Sequence, residues 1–319
     1  MKILLVGEDR EGSLLRSLEF GLKQSSEVFV LDPASQVTEL ADAAGLFAVA
    51  RRRVAARNTG CRFLEAVENI RPDIVLIVKG RGIAPEIVTR ARSYSRIAIY
   101  YPDNPFWLRT DSSPALVRLR AADLVLVWSR RLQDLLSATC DRVSSLAFGY
   151  DDRWFPLTDP SNPRAGVAFV GTWSRRRQRY VDALAGLPLR VVGSGWSRCS
   201  VPGSGLPAYG QGAGALLRSA AIGLNIFHPH NSGAHNMRTR EIAASGAVQL
   251  TDPGTDGTPL RDGSGCRWFR SPQHLRELVE QYLSSPSEAA ELACRAQQLI
   301  ADDTYRHRSA ELIQLFEVL

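Results

Sequence analysis

The chain has 319 residues, 45% of them hydrophobic and 23% charged, with five cysteines and a formal net charge of +6 carried mostly by arginine. These values exclude a disordered polyelectrolyte and a disulfide-stapled small domain, and the length suits two α/β domains of roughly 100–200 residues each. Cys61, Cys140, Cys199, Cys266 and Cys294 are scattered without a C-x-x-C pair, so reduced, mostly buried thiols are expected and a zinc site is not.

The first residues hold only a short apolar run before charge returns, too short for a signal-peptide core or a membrane span, so a cytoplasmic protein is expected. Ile3–Val6, Val28–Leu31, Ile74–Val78, Ile97–Tyr100 and Leu124–Val127 are continuous apolar runs, as strands buried on both faces of a parallel sheet require. Amphipathic segments separate them, and Leu14, Leu18 and Leu22 form one apolar stripe at helical spacing. This alternation predicts a right-handed, doubly wound sheet with ligands beyond the C-terminal strand ends.

Asp151–Pro163, rich in Pro, Asp and Ser, reads as a linker. Beyond it Val167–Val170, Leu189–Val192, Ile222–Asn225, Val248–Leu250 and Arg267–Phe269 read as strands, with helices near Arg176–Ala185, Arg238–Ser245 and Pro272–Leu283. The expectation is an α/β chain of two Rossmann-like domains, residues 1–157 and 164–295, with an interdomain cleft. A helix over residues 296–319 is expected to pack back on the first domain.

The arginine runs are Arg51-Arg52-Arg53 and Arg175-Arg176-Arg177, and only the second has informative neighbours. There Phe169-Val170-Gly171-Thr172-Trp173-Ser174 leads from a strand into an Arg-led helix, a place that suits phosphate or is an ordinary basic turn. Arg238 and Glu241 share a helix face three residues apart, to meet phosphate and ribose hydroxyls or simply to pair with each other. Val192-Gly193-Ser194-Gly195-Trp196 ends a strand in a tight turn with an aromatic neighbour. The loop Gly7–Gly12 has neither the P-loop nor the G-x-G-x-x-G pattern. No D-x-D and no calcium-loop pattern is present, so no metal site is expected.

Together Phe169-Val170-Gly171, Arg176-Arg177, Leu224-Asn225, His228-Pro229, Asn236-Met237-Arg238, Glu241, Gly246 and Leu250-Thr251-Asp252 resemble the spore-maturation CgeB-like glycosyltransferases, near the retaining GT4-type enzymes of the GT-B fold. Arg71–Val75, Lys79-Gly80, Tyr101–Pro105 and Phe148–Asp151 match more loosely. The resemblance implies a transferase with an acceptor-side first domain and a second domain that binds a nucleotide sugar as donor substrate, and with no metal motif in the sequence neither a metal nor a further cofactor is expected. It implies that Gly171, Thr172, Arg176, Arg177, Gly193, Trp196, Arg238 and Glu241 hold the donor's nucleotide and diphosphate, Glu241 at the ribose. Many GT4-type enzymes carry a second glutamate eight positions earlier, where this chain has Gly233. Donor-sugar contacts are therefore expected from His228, Asn231, His235 or Asn236, or from backbone amides of residues 232–234.

Asp103, in Tyr101-Pro102-Asp103-Asn104-Pro105-Phe106-Trp107 after a strand, is the candidate catalytic base for the acceptor hydroxyl, with His228 and His235 next, or else Asp103 caps the turn. The acceptor is left open among small molecules, glycans, proteins and nucleic acid. Two rival readings remain: a noncatalytic nucleotide-binding or scaffold protein of this fold, and a transferase acting on nucleic acid.

Overall fold

The computed structural model describes residues 1–33, 48–107, 112–197, 208–231 and 233–319; Cys199, Ser232 and the side chains of Arg51, Arg52 and Arg53 lie outside them. The chain divides into two compact units, Met1–Ala147 with Arg306–Leu319, and Phe148–Tyr305. Asp151–Pro163, read as a linker, falls within the second.

The first unit runs β1 (Lys2–Val6), α1 (Leu14–Leu22), β2 (Glu27–Leu31), α2 (Ala48–Ile70), β3 (Ile74–Val78), α3 (Pro85–Ala91), β4 (Arg96–Tyr101), α4 (Ser112–Arg120), β5 (Leu124–Val127), α5 (Arg130–Ser137) and β6 (Val143–Ser145). Its strands are parallel in the order β2-β1-β3-β4-β5-β6. Apolar runs can fill such strands because both faces are covered; Ile3 through Val6 and Val75 through Ile77 are wholly buried. Ser13 starts α1 by accepting the Arg16 N–H at 3.3 Å, and the helix buries Leu14, Leu15, Leu18 and Leu22.

The second unit runs β7 (Val167–Val170), α6 (Arg175–Asp182), β8 (Leu189–Val192), α7 (Gly210–Ser219), β9 (Ile222–Asn225), β10 (Gly233–Ala234), α8 (Met237–Ala244), β11 (Val248–Thr251), β12 (Gly254–Asp256), β13 (Arg261–Asp262), β14 (Gly265–Trp268), α9 (Pro272–Ser284) and α10 (Pro286–Ile300). Its main sheet has the order β13-β14-β11-β9-β7-β8, and β10 pairs with β12 apart from it. Alternation sorts β7 between two cores: Val167 and Phe169 join Tyr180, Val181, Leu275 and Leu278, whereas Ala168 and Val170 join Leu217, Ile242, Ala296 and Ile300. The predicted strand Arg267–Phe269 begins two residues earlier and ends one earlier, because Gly265 and Cys266 are the buried positions that pair with β13.

The tail is not one helix. A break after α10 precedes α11 (Tyr305–Glu317), whose Arg306 and Ser309 contact α1, over the Phe20 ring at 4.7 Å and at the Leu18 carbonyl at 3.5 Å. The Tyr150 N–H donates to the Asp303 carbonyl and the Tyr305 N–H to the Tyr150 carbonyl, each at 3.0 Å. Gly149 permits this approach, since a Cβ there would meet the Asp303 oxygen at 2.9 Å and the Tyr305 nitrogen at 3.0 Å. Of the described thiols, Cys140 and Cys266 are buried but Cys61 and Cys294 are exposed, against the expectation of mostly buried cysteines. Among the described residues no helix is long and apolar enough to cross a membrane.

Candidate functional site

In the second sheet β8 and β9 flank β7, so the chain reverses its direction of travel there and the loops after β7 and β9 border a crevice at the C-terminal edge. Ser174 caps α6 by accepting the Arg177 N–H at 3.2 Å, which brings three consecutive arginines to that edge. Their fates differ. Arg176 grips Asp252 with both arms of its guanidinium, donates to the Phe227 carbonyl at 3.1 Å and lies 5.0 Å from the Tyr180 ring centre.

Arg177 is buried and turned inward. It donates to the Ile226 carbonyl at 2.9 Å and to the Thr172 carbonyl and hydroxyl at 2.8 and 3.1 Å. Burial, with the charges of Arg176 and Arg238 adding, lowers its pKa to about 10. Arg177 is thus a clamp on the Gly171-Thr172 loop rather than a hand for a diphosphate.

Trp196, expected beside the nucleotide base, has no accessible surface. Its indole donates to the Gly171 carbonyl at 2.7 Å and meets Phe169 edge-on with centroids 5.8 Å apart. Gly193 serves the same close packing: with φ 145° it lies where a Cβ would collide with the Gly171 carbonyl. The exposed aromatic beside this turn is instead Trp173, which the sequence did not single out. Its backbone N–H donates to the Ser194 carbonyl at 2.8 Å, and its indole N–H to Gln178 Oε1 at 3.0 Å. Trp173, Arg175, Arg176, Gln178 and Arg179 line a cavity of about 470 Å³. The available signal was an aromatic residue directly between a strand-ending Gly-Thr and an Arg-led helix.

Around the start of α8 the polar side chains form one network. Asn225 and Asn236 exchange amide hydrogen bonds at 3.1 Å, and Asn225 also donates to Thr239 Oγ1 at 3.0 Å. His235 lies 2.8 Å from Thr239 Oγ1 through Nδ1 and 2.6 Å from the Gly254 carbonyl through Nε2. A carbonyl can only accept, so Nε2 carries the proton and Nδ1 receives the Thr239 hydroxyl. Burial lowers the His235 pKa to about 4, so the ring is neutral. Both ring nitrogens are committed to protein, and His235 pins β12 to α8 rather than facing a sugar. Asn231 is buried as well, and His228 is half-buried after β9.

Because the Asn236 amide is tied to Asn225, α8 begins without a side-chain cap and without an acid in its first turn. The Thr239 N–H donates to the Asn236 carbonyl at 3.1 Å, and no side-chain oxygen caps the turn. Arg238 and Glu241, on its face, approach to 2.5 Å. Glu241 is 6% exposed, and its Oε2 makes that ionic contact but accepts no hydrogen bond. Burial raises its pKa, Arg238 opposes the rise and Asp151 adds to it.

In the first unit Asp103 follows β4 and forms an ion pair with Lys79, which follows β3 with φ 67°. The turn is capped by the neighbouring residue: Asn104 Oδ1 accepts the Phe106 N–H at 2.9 Å. Asp103 is thus released from the capping role that its Asp-Asn-Pro context suggests.

Residues 175–314 match a family described as glycosyl transferase-like. The fold matches GT-B glycosyltransferases over nearly the whole chain. Sucrose-phosphate synthase from Thermosynechococcus elongatus superimposes with a TM-score of 0.72 at 12% identity, over 99% of this chain and 98% of that one. Anabaena HepE, in complex with UDP-glucose, gives 0.68 at 13% identity over 99% and 100%. An α,α-trehalose-phosphate synthase (UDP-forming) from Burkholderia xenovorans, in complex with glucose-6-phosphate, gives 0.68 at 10% identity over 99% and 100%. No curated protein matches the sequence. The architecture is therefore GT-B, two Rossmann-like units in one chain.

Proposed function

We propose that this chain is a glycosyltransferase of the CgeB-like type that moves a sugar from a nucleoside-diphosphate sugar to an acceptor hydroxyl, with retention and without a metal ion. The observation that carries the reading is Glu241, a buried carboxylate with an oxygen that accepts no hydrogen bond, beside an uncapped helix start. Arg238 meets that oxygen as an ion pair without a well-formed hydrogen bond, and two ribose hydroxyls would supply the donors that the buried carboxylate lacks.

On this reading the α8 N–H groups, Arg238 and the outer edge of Arg176 meet the diphosphate, with Gly171 and Thr172 lining its path. His228, Asn231 and Asn236 border the sugar. The bond between the anomeric carbon and the β-phosphate oxygen breaks, the acceptor oxygen bonds that carbon on the face the diphosphate leaves, as retention requires, and the acceptor's proton passes to a base, for which Asp103 is the candidate. Charge building on the departing diphosphate is met by fixed cations and N–H dipoles, which stabilise the transition state more than the ground state.

A thermal-shift series with UDP, GDP, dTDP and ADP tests the reading, since a ligand at 100 times its dissociation constant adds about 2.7 kcal/mol of stability. At least one should raise the melting temperature and, as its sugar conjugate, be turned over in the presence of EDTA. Silence from all four would remove the donor site, and activity restored only by Mg²⁺ or Mn²⁺ would remove the metal-free mechanism.

A further inference from the structure

Arg175 and Arg179 stand four residues apart on the exposed face of α6, and neither side chain makes a hydrogen bond or ion pair with the described residues. Like charges at that spacing, in a helix whose first turn holds no acid, disfavour the helix they sit on. Both line the cavity of about 470 Å³ that also holds the indole of Trp173, a residue 42% exposed. That volume lies within the range of small-ligand pockets.

The hydrogen-bonding groups around the cavity are unevenly available. Gln178 accepts from the Trp173 indole and donates to Asp182 at 2.6 Å, so both ends of its amide are engaged. The nearby acceptors also have donors: the Gly171 carbonyl has Trp196, the Thr172 carbonyl and hydroxyl have Arg177, and the Ser194 carbonyl has the Trp173 backbone. What the cavity still offers is a fixed flat ring and two guanidinium forks. Its complement is a planar ligand with acceptor atoms on its edge.

Resting on the nucleoside-diphosphate donor reading, we propose that Trp173 is the stacking platform for the donor's base and that Arg175 and Arg179 read acceptors on that base. The pair selects oxo-bases such as uracil, thymine or guanine over adenine, whose exocyclic amine would point a donor at the same cations. The abutment of Trp173 on Ser194 and Gly195 supports this placement, since it sets the ring beside the turn that follows β8.

Calorimetry with UDP, GDP, ADP and inorganic pyrophosphate separates this proposal from the reading beneath it. Wild type should bind UDP or GDP at least about 10-fold more tightly than ADP. Trp173→Ala should weaken that binding about 5- to 150-fold, the span of base–aromatic stacking, and leave pyrophosphate affinity unchanged. Unchanged pyrophosphate binding also shows that the variant is folded, and Trp173→Phe, which keeps a ring, should retain most of the affinity. The double variant Arg175→Gln/Arg179→Gln should narrow the gap between oxo-base and adenine nucleotides. Trp173→Ala binding UDP and GDP like wild type would overturn the platform while leaving the donor site standing, and equal affinity for ADP would overturn the base selection. If wild type binds none of the nucleotides, the donor reading itself falls.

Discussion

Arg176 and Asp252 form a two-pronged ion pair that ties the start of α6 to the end of β11, and Asp252 also accepts the Phe227 N–H beyond β9 at 2.6 Å. One carboxylate thus gathers three separate loops at the sheet edge. An asparagine in its place is a neutral group that cannot accept from both arms of the guanidinium. Asp252→Asn should cost about 1–3 kcal/mol of stability, a value kept low because Arg176 is partly exposed. Urea denaturation measures it, and a midpoint unchanged from wild type would show that the pair forms without contributing.

Glu241 sets function against stability. Its pKa is raised, so its folded state holds a proton more tightly than the unfolded chain, and the stability linked to that proton is lost as pH rises from about 4.5 through the folded value. Glu241→Gln removes the loss. The variant should melt higher than wild type near neutral pH, with a difference that grows as pH rises from the ordinary carboxylate range and then levels off. The same change should weaken nucleotide binding about 10- to 150-fold, because a hydrogen bond to a charged group contributes roughly 1.5–3 kcal/mol. A melting difference that shrinks with rising pH would contradict the assignment.

His235 gives the opposite dependence. With a folded pKa of about 4 against an ordinary 6.5, its contribution is complete above pH 6.5 and disappears as pH falls through 4. That depression corresponds to about 3 kcal/mol. His235→Gln should flatten the stability profile between pH 7 and 4 relative to wild type, as followed by denaturant midpoints across that interval. Parallel profiles would mean that the ring is not held neutral by its burial.

Asp103 distinguishes a base from a structural anion. Asp103→Asn should lower kcat by about 10²–10⁴-fold and leave nucleotide affinity intact. Lys79→Met, which removes the ion-pair partner that holds the carboxylate in place, should also lower kcat while leaving nucleotide affinity intact. A near-normal kcat for Asp103→Asn on the true acceptor would move the catalytic role elsewhere.

The buried strands were readable because five-residue apolar runs such as Ile74–Val78 are too short for a helix and alternate with amphipathic segments, and β3 ends where its apolar run ends. The edge strand β6, Val-Ser-Ser, and the two-residue strands β10 and β13 were not readable, since they are too short and polar to show a period. In the site, residue type revealed where polar groups gather and not what they are bonded to. Arg177, Trp196 and His235 have the chemistry of ligand-binding groups, yet each is turned onto a backbone carbonyl of a neighbouring loop. That choice depends on loops from β7, β9 and β12 meeting in space. Trp173 was hidden by the converse: an indole followed by an Arg-led helix looks like packing until its exposure is seen.

The second unit is one continuous stretch, Phe148–Tyr305, set inside a first unit that owns both ends of the chain. The Ser309 hydroxyl and the Leu18 carbonyl that it meets are 291 positions apart. In chain order nearly all of the second unit is therefore made before α11, the helix laid against α1. The unit begun first is finished last, and until then it presents an incomplete surface to the chaperones and proteases of the cell.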